Sequence, residues 1–202
     1  MWSDTARCSS NVLEALTILA GYLIGSIEVG GLTARRHGVD IYATGSGNPG
    51  ASNISRTLGR RQGAVVLVAD VLKGFVAAAI GELVGGSELV GFAAGAMAVV
   101  GHCFPVWHGF QGGKGVSTAG GMLIWTIPGL GLALGIIWGA IVAVTRKPSL
   151  GSLTIAILAV PGVAIWAGHG WSAVIMAAVS LLVVARHRDN IGRMFRGGEQ
   201  TL

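Results

Sequence analysis

The chain has 202 residues, of which 52% are hydrophobic and only 11% charged, with a mean hydropathy of +0.68. Soluble domains carry about 25% charge, so this deficit excludes an ordinary soluble enzyme and points to a polytopic membrane protein. The net charge of +5 would suit nucleic acid, but the placement of the cations argues against it. Cys8 and Cys103 are too few for a disulfide framework and offer no metal-ligand spacing.

At the amino end Asp4 offsets Arg7 and no small-residue cleavage site follows, so the first apolar run is expected to be retained. A bilayer core takes about 20 apolar residues in a helix. Runs of this kind stand at 12–34, 64–84, 88–108, 116–144, 150–167 and 171–186. The fourth is too long for one simple span, and Pro128-Gly129 lies near its middle.

Charge decides how to divide it, because loops rich in Lys and Arg resist translocation and stay cytoplasmic. As a single span it would put Arg146, Lys147, Arg186, Arg188, Arg193 and Arg196 opposite Arg35, Arg36, Arg56, Arg60 and Arg61. Split at Pro128-Gly129, all of these join Lys114 on one side, and of the 14 Lys and Arg only Arg7 and Lys73 lie elsewhere. The expected fold is an all-α polytopic membrane protein with about seven transmembrane helices, N-terminus out and C-terminus in. It forms a single domain over 1–202. Two of its passages are short: about 14 helical residues cover only about 21 Å, so at least one tilts, thins the bilayer or re-enters.

Four polar segments then converge on the cytoplasmic face: TGSGNPGASNISRTLGRR (44–61), GHCFPVWHGFQGGKGVST (101–118), TRKPSLGSL (145–153) and ARHRDNIGRMFRGGEQ (185–200). Each joins a cation to small hydroxyl, amide or glycine residues. Glycines let backbone N–H groups approach an anion, and Arg or Lys neutralises it. The chemistry implied is a phosphate site. Gly45-x-Gly47-x-x-Gly50 has the spacing of a dinucleotide fingerprint but lacks the preceding strand. A Walker loop around Lys114 fails, because His108 and Gly115 occupy the positions of its first glycine and its hydroxyl residue.

Together these segments resemble the bacterial membrane-bound acyl-phosphate:glycerol-3-phosphate acyltransferases. The likeness runs through GYLIGSIEVG, GSGNPGASN with Arg56 and TLG, ADVLKG, GHCFPVWHGFQGGKGVST and RHRDNIGRMFRGGE. It implies a seven-helix enzyme of the cytoplasmic membrane, its active site facing the cytoplasm. That enzyme moves an acyl chain from acyl phosphate to the 1-hydroxyl of glycerol 3-phosphate, giving lysophosphatidic acid and phosphate. The reaction opens phospholipid synthesis without a cofactor or metal, and a soluble acyl-phosphate-forming enzyme is a conceivable partner. Two departures stand out. Glu28 replaces the usual proline of the first helix, and Lys147-Pro148 precedes Ser149 where a tyrosine is usual.

Carried over residue by residue, the resemblance assigns Ser46, Arg56, Lys114, Ser149, His187 and Asn190 to glycerol 3-phosphate, all but Ser149 also catalytic. It assigns Gly47, Asn48, Gly112, Gly113 and Gly115 to acyl phosphate. Acyl phosphate is a mixed anhydride with a good leaving group, so no acyl-enzyme is required, and the chain offers no Gly-x-Ser-x-Gly elbow. None of its five histidines is followed five residues on by Asp. The reaction needs two anions aligned and charge stabilised as phosphate leaves. The general base stays open between the substrate phosphate, whose second pKa is about 6, and His187.

Other positions have plainer readings. Asp70 and Lys73, at i and i+3 inside a span, are expected to pair with one another and anchor a loop. Trp107, Trp125, Trp138, Trp166 and Trp171 are interface or packing aromatics. His37 and His169 belong in solvent or among headgroups. Glu199 pairs with a nearby Arg. A transporter of a phosphorylated lipid precursor is the rival function. It would want ionisable groups at the midplane and inverted repeats, and the sequence has neither beyond Asp70 and Lys73.

Overall fold

The computed structural model describes residues 2–167 and 170–202, with side chains from Ser10 onward; Arg7, Cys8 and His169 lie outside the described side chains. The described residues form ten α-helices: α1 Trp2–Gly25, α2 Val29–Arg36, α3 Ala51–Leu58, α4 Arg60–Gly85, α5 Glu88–Cys103, α6 Val116–Thr126, α7 Pro128–Thr145, α8 Pro148–Trp166, α9 Gly170–Arg186 and α10 Arg188–Phe195. The seven expected passages correspond to α1 and α4 to α9. By length and apolarity five segments can cross a bilayer, the first comprising α1 and α2 together. α9 with α10, bent by 56°, makes a sixth.

The split at Pro128 is present, but its consequence differs from the expectation of two equally short passages. Ile127 leaves helical geometry (φ −140°, ψ 75°) and Pro128 starts α7, where its missing N–H costs nothing. The result is a full-length α7 of 18 residues and a short α6 of 11. Only α6 is too short, at about 17 Å. The first run is also broken. α1 stops at Gly25, and the carboxylate of Glu28 caps α2 by accepting the Gly31 N–H at 2.6 Å. A residue that departs from the family pattern therefore makes a helix start, satisfying a backbone donor that would otherwise be orphaned.

Lipid gives helices no hydrophobic reason to associate, so close backbone approach has to hold them. α4 and α6 meet through reciprocal glycines. A Cβ on Gly74 would stand 1.9 Å from the Thr118 carbonyl oxygen, and one on Gly121 would stand 1.9 Å from that of Val71. α1 and α5 pack the same way: a Cβ on Gly25 would lie 2.1 Å from the Ala98 oxygen, and one on Gly101 2.2 Å from that of Tyr22. The main core gathers Phe92, Val99, Met122, Leu130, Val163 and Met176 from α5 to α9. Apolar side chains left outward, such as Val68 on α4, Ile136 on α7 and Ile157 on α8, form the lipid face.

A smaller cluster of Ala34, Ile41, Ile54 and Val66 sits beneath α2, α3 and the start of α4. It supports the loop that leads into α3. Asp70 and Lys73 pair as expected, at 2.9 Å, and the ammonium also donates to the Ile27 carbonyl at 3.2 Å. That bond fastens α4 to the α1–α2 break, so two intramembrane charges act as an anchor. Trp125 packs edge-on against Phe75 and donates to Glu82 at 2.8 Å. Trp107, Trp166 and Trp171 are exposed, as interface aromatics are.

Candidate active site

The four polar segments come together at one end of the bundle. Ser46, Asn48, Arg56, Lys114, Gly115, Ser149, His187 and Asn190 all line one cavity of about 630 Å³. The same cavity continues between α6, α7, α8 and α9 along Leu123, Leu134, Ile155, Ala159 and Met176. It has a polar, cationic end and an apolar depth.

Each polar side chain is held by a local device. The loop before α3 turns on Gly45 at φ +61°, where a Cβ would stand 2.3 Å from Asn53 Oδ1. Asn53, buried in α3, donates to the Thr44 carbonyl at 2.9 Å and accepts the Ser46 N–H at 3.0 Å. Asn48 accepts the Gly50 N–H at 3.0 Å. The backbone of the loop is thus fixed, while the Ser46 hydroxyl is buried and has no partner within the described protein. A buried hydroxyl without a partner costs free energy unless a ligand supplies one.

Lys114 reaches across to the amide oxygen of Asn190. Burial pulls its ammonium down to about 8, and the Arg193 charge adds to the effect. The amide nitrogen of Asn190 donates to Glu199 Oε1 at 2.6 Å, and Ser149 donates to the same oxygen at 2.7 Å. Arg193 donates to Glu199 Oε2 at 3.1 Å. Burial pushes the Glu199 carboxyl up, but the hydrogen bonds from Ser149 and Asn190 and the Arg193 charge outweigh it, and its pKa lies below the ordinary carboxylate value. Glu199 pairs with an Arg as the sequence suggested. It also does more: it joins Ser149, Asn190 and, through Asn190, Lys114 into one network.

His187 is 3% exposed and its Nδ1 lies 2.7 Å from the Val183 carbonyl. A carbonyl only accepts, so Nδ1 carries the proton and Nε2 is the nitrogen free to meet a ligand. Arg56, from α3, makes no hydrogen bond among the described residues and lines the same cavity.

Three expected residues do not line it. Gly47 turns the first loop at φ +67° and donates to the Thr44 carbonyl at 3.1 Å. The Gly113 N–H goes to the His102 carbonyl at 3.0 Å, and Arg186 holds the carbonyls of Gly112 at 2.7 Å and Gly113 at 3.1 Å. A Cβ on Gly113 would lie 1.9 Å from His102 Nε2. The backbones of Gly112 and Gly113 are part of the loop that carries Lys114 to the cavity. Asn53 and Arg186, which the sequence motifs did not single out, are the residues that shape the two loops. Both lie inside those motifs, but nothing in spacing distinguishes a loop brace from a ligand contact.

The fold and site therefore define a helical membrane protein with a cationic anion site opening into an apolar chamber. The chain matches the family model for glycerol-3-phosphate acyltransferase over residues 15–197 and belongs to that family. It is 40% identical to the glycerol-3-phosphate acyltransferase of Agrobacterium fabrum over 192 residues, covering 94% of this chain and 92% of that protein. It is 42% identical to that of Myxococcus xanthus over 190 residues, covering 93% and 99%. Its structure resembles the crystal structure of PlsY (YgiH), an integral membrane glycerol 3-phosphate acyltransferase, in the glycerol 3-phosphate form. The TM-score is 0.88 at 35% identity, covering 94% of this chain and 95% of that one. The lysophosphatidic acid form of the same protein gives 0.84 at 36% identity, with the same coverage.

Proposed function

We propose that this chain transfers an acyl group from acyl phosphate to the 1-hydroxyl of glycerol 3-phosphate, releasing lysophosphatidic acid and inorganic phosphate. The observation that carries the reading is the continuity of one cavity, which joins Ser46, Arg56 and Lys114 to an apolar chamber between α6 and α9. A phosphate-bearing polyol suits the first part and an acyl chain the second. Glycerol 3-phosphate acyltransferase relatives, and a structural neighbour described in glycerol 3-phosphate and lysophosphatidic acid forms, support both halves.

The residues suggest how the step proceeds. Arg56 and Lys114 neutralise phosphate, and the unpartnered Ser46 hydroxyl donates to it. Ser149 has its only hydrogen on Glu199, so toward the ligand it accepts, which suits a glycerol hydroxyl better than a phosphate oxygen. His187 Nε2 and the remaining N–H of Asn190 orient the substrate. The 1-hydroxyl oxygen bonds to the acyl carbon and the anhydride C–O bond breaks toward phosphate. The hydroxyl proton passes to a phosphate oxygen, because a reactive anhydride needs alignment and charge neutralisation more than a strong protein base. The active site faces the cytoplasm of a bacterial cell, where both phosphorylated substrates and any soluble acyl-phosphate-forming partner reside. As for the rival transporter, the Asp70–Lys73 pair is engaged in anchoring a helix break.

The test is purified protein with acyl phosphate and glycerol 3-phosphate, measuring phosphate release beside an acyl-CoA control. Turnover confined to acyl phosphate is expected; none with either donor sinks the proposal. A phosphonate analogue of glycerol 3-phosphate with a higher second pKa should move the acidic limb of kcat upward. An acidic limb that ignores the phosphonate and vanishes in His187→Gln would make the histidine the base.

A further inference from the structure

Arg186 is the last residue of α9. Its neighbours Val183 and His187 line the main cavity, but Arg186 does not. Its guanidinium is engaged behind the Lys114 loop: Nη2 donates to the Gly112 carbonyl at 2.7 Å and Nε to the Gly113 carbonyl at 3.1 Å. Its Cζ lies over the Phe104 ring, 5.3 Å from the centroid, which is a cation–π contact. No carboxylate pairs with it among the described residues. A cation that meets two carbonyl dipoles and a ring face, with no counter-ion, braces that backbone.

Both peptides are trans, so each N–H points away from the carbonyl of its own peptide. With the Gly112 and Gly113 carbonyls turned to Arg186, the N–H groups of Gly113 and Lys114 are turned from it. The first reaches the His102 carbonyl at 3.0 Å, and the second meets no acceptor among the described residues. Lys114 lines the cavity, so its amide stands there as a donor without a partner. Gly112 and Gly113 have no Cβ to resist rotation. A flipped Gly113–Lys114 peptide would aim a carbonyl oxygen at the cavity in place of the N–H. That exchanges an attractive dipole for a repulsive one where the reaction brings anions. The Lys114 ammonium is held separately, on the Asn190 amide oxygen, so the flip concerns the amide alone.

We propose that Arg186 is a positioning residue for the acyl donor. It holds two successive carbonyls so that the Lys114 amide stays aimed into the cavity, where it hydrogen-bonds the donor's phosphoryl group. The assignment rests on the acyltransferase reading above. Arg186 touches neither substrate and acts through the peptide it holds. When the anhydride C–O bond breaks, its electron pair stays on the phosphate oxygen. An N–H already fixed in place meets that added charge without reorganising.

The experiment uses the full chain in nanodiscs, with Arg186→Gln and Arg186→Lys. In Arg186→Gln the KM for acyl phosphate should rise about ten- to a hundredfold, the loss expected for a hydrogen bond to a charged group. The KM for glycerol 3-phosphate should stay within about twofold, because Asn190 still holds the ammonium. A role confined to folding would lower the amount of active enzyme and leave both KM values alone. Arg186→Lys keeps the charge but cannot fork across two carbonyls, so it should recover only part of the donor affinity. Full recovery would make the effect one of charge at a distance and overturn the assignment. An unchanged donor KM, or equal rises for both substrates, overturns it too. A second measurement needs no turnover. Lys73, Lys114 and Lys147 are the only lysines of the chain, so isotopic labelling of lysine nitrogen gives few amide resonances, and Lys114→Arg identifies one. Inorganic phosphate should shift the Lys114 amide in the wild type and much less in Arg186→Gln. A Lys114 amide that ignores phosphate in the wild type overturns the inference even where the variants are weak enzymes. Wild-type protein that turns over neither donor would instead sink the functional reading. Wild-type turnover with unaltered kinetics in Arg186→Gln sinks this inference alone.

Discussion

Lys114 and Glu199 carry opposite electrostatic burdens. The Lys114 ammonium is destabilised by burial and by Arg193, so its folded pKa sits near 8, below its ordinary value. The charged form is present below that pH and is lost as pH rises through it. We therefore expect kcat/KM for glycerol 3-phosphate to fall above pH about 8 in the free enzyme's profile, and Lys114→Arg, charged throughout, to move that limb upward. A limb that stays put in Lys114→Arg would assign it to another group. Glu199 is the reverse case, an acceptor for Ser149, Asn190 and Arg193. Glu199→Ala leaves buried donors unpaired at about 1–3 kcal/mol each. Thermal unfolding in detergent should drop, and the KM for glycerol 3-phosphate should rise as Ser149 and Asn190 lose their orientation. Unchanged stability and KM would reduce the carboxylate to a bystander.

Elements are set by backbone contact more than by side-chain burial. The α4–α6 seam depends on Gly74 and Gly121 lying against the opposite backbones. Gly74→Val has no space to enter, so we expect destabilisation of about 1–3 kcal/mol and a lower unfolding temperature in detergent. Gly120, where a Cβ would meet nothing within 4 Å, serves as the control: Gly120→Ala should leave the unfolding temperature unchanged. Equal losses in the two variants would show that close packing at the seam is not responsible, since Ala is a better helix former than Gly. The breaks at Glu28 and Ile127 belong to this scale as well. The second was legible because Pro128 interrupts an overlong apolar run. The first was not, because an apolar stretch interrupted by one carboxylate still reads as a span until the Gly31 N–H is seen to meet it.

At the scale of the whole molecule, the basic-residue parity places all four polar segments on one side, and the cavity that gathers them agrees with that grouping. The side itself can be measured. In a Cys-free background, Lys147→Cys and Gly198→Cys should both resist an impermeant thiol reagent in intact cells and react once the membrane is opened. Labelling at both positions would invert the orientation. Labelling at 147 alone would contradict the shared face on which the network from Ser149 to Glu199 depends.

Composition and one-dimensional pattern, carried by the sequence by itself, determined a bilayer-spanning helical chain, its division at Pro128, the cationic character of one face, and the motifs that tie it to its family. Those features are local or additive, so reading along the chain recovers them. The motifs also named Ser46, Arg56, Lys114, Ser149, His187 and Asn190 as one group, and all six line the same cavity. Only the tertiary structure decided which atoms of those motifs face the cavity. Gly112 and Gly113 are loop glycines in a string of letters, and only the fold shows that their carbonyls accept from Arg186, 74 and 73 residues further along. Arg60 and Arg146 look unrelated until α4 and α7 bring them to one pocket. Hydrogen-bond partners and charge proximity are relations between distant positions, and only the packed helices fix them.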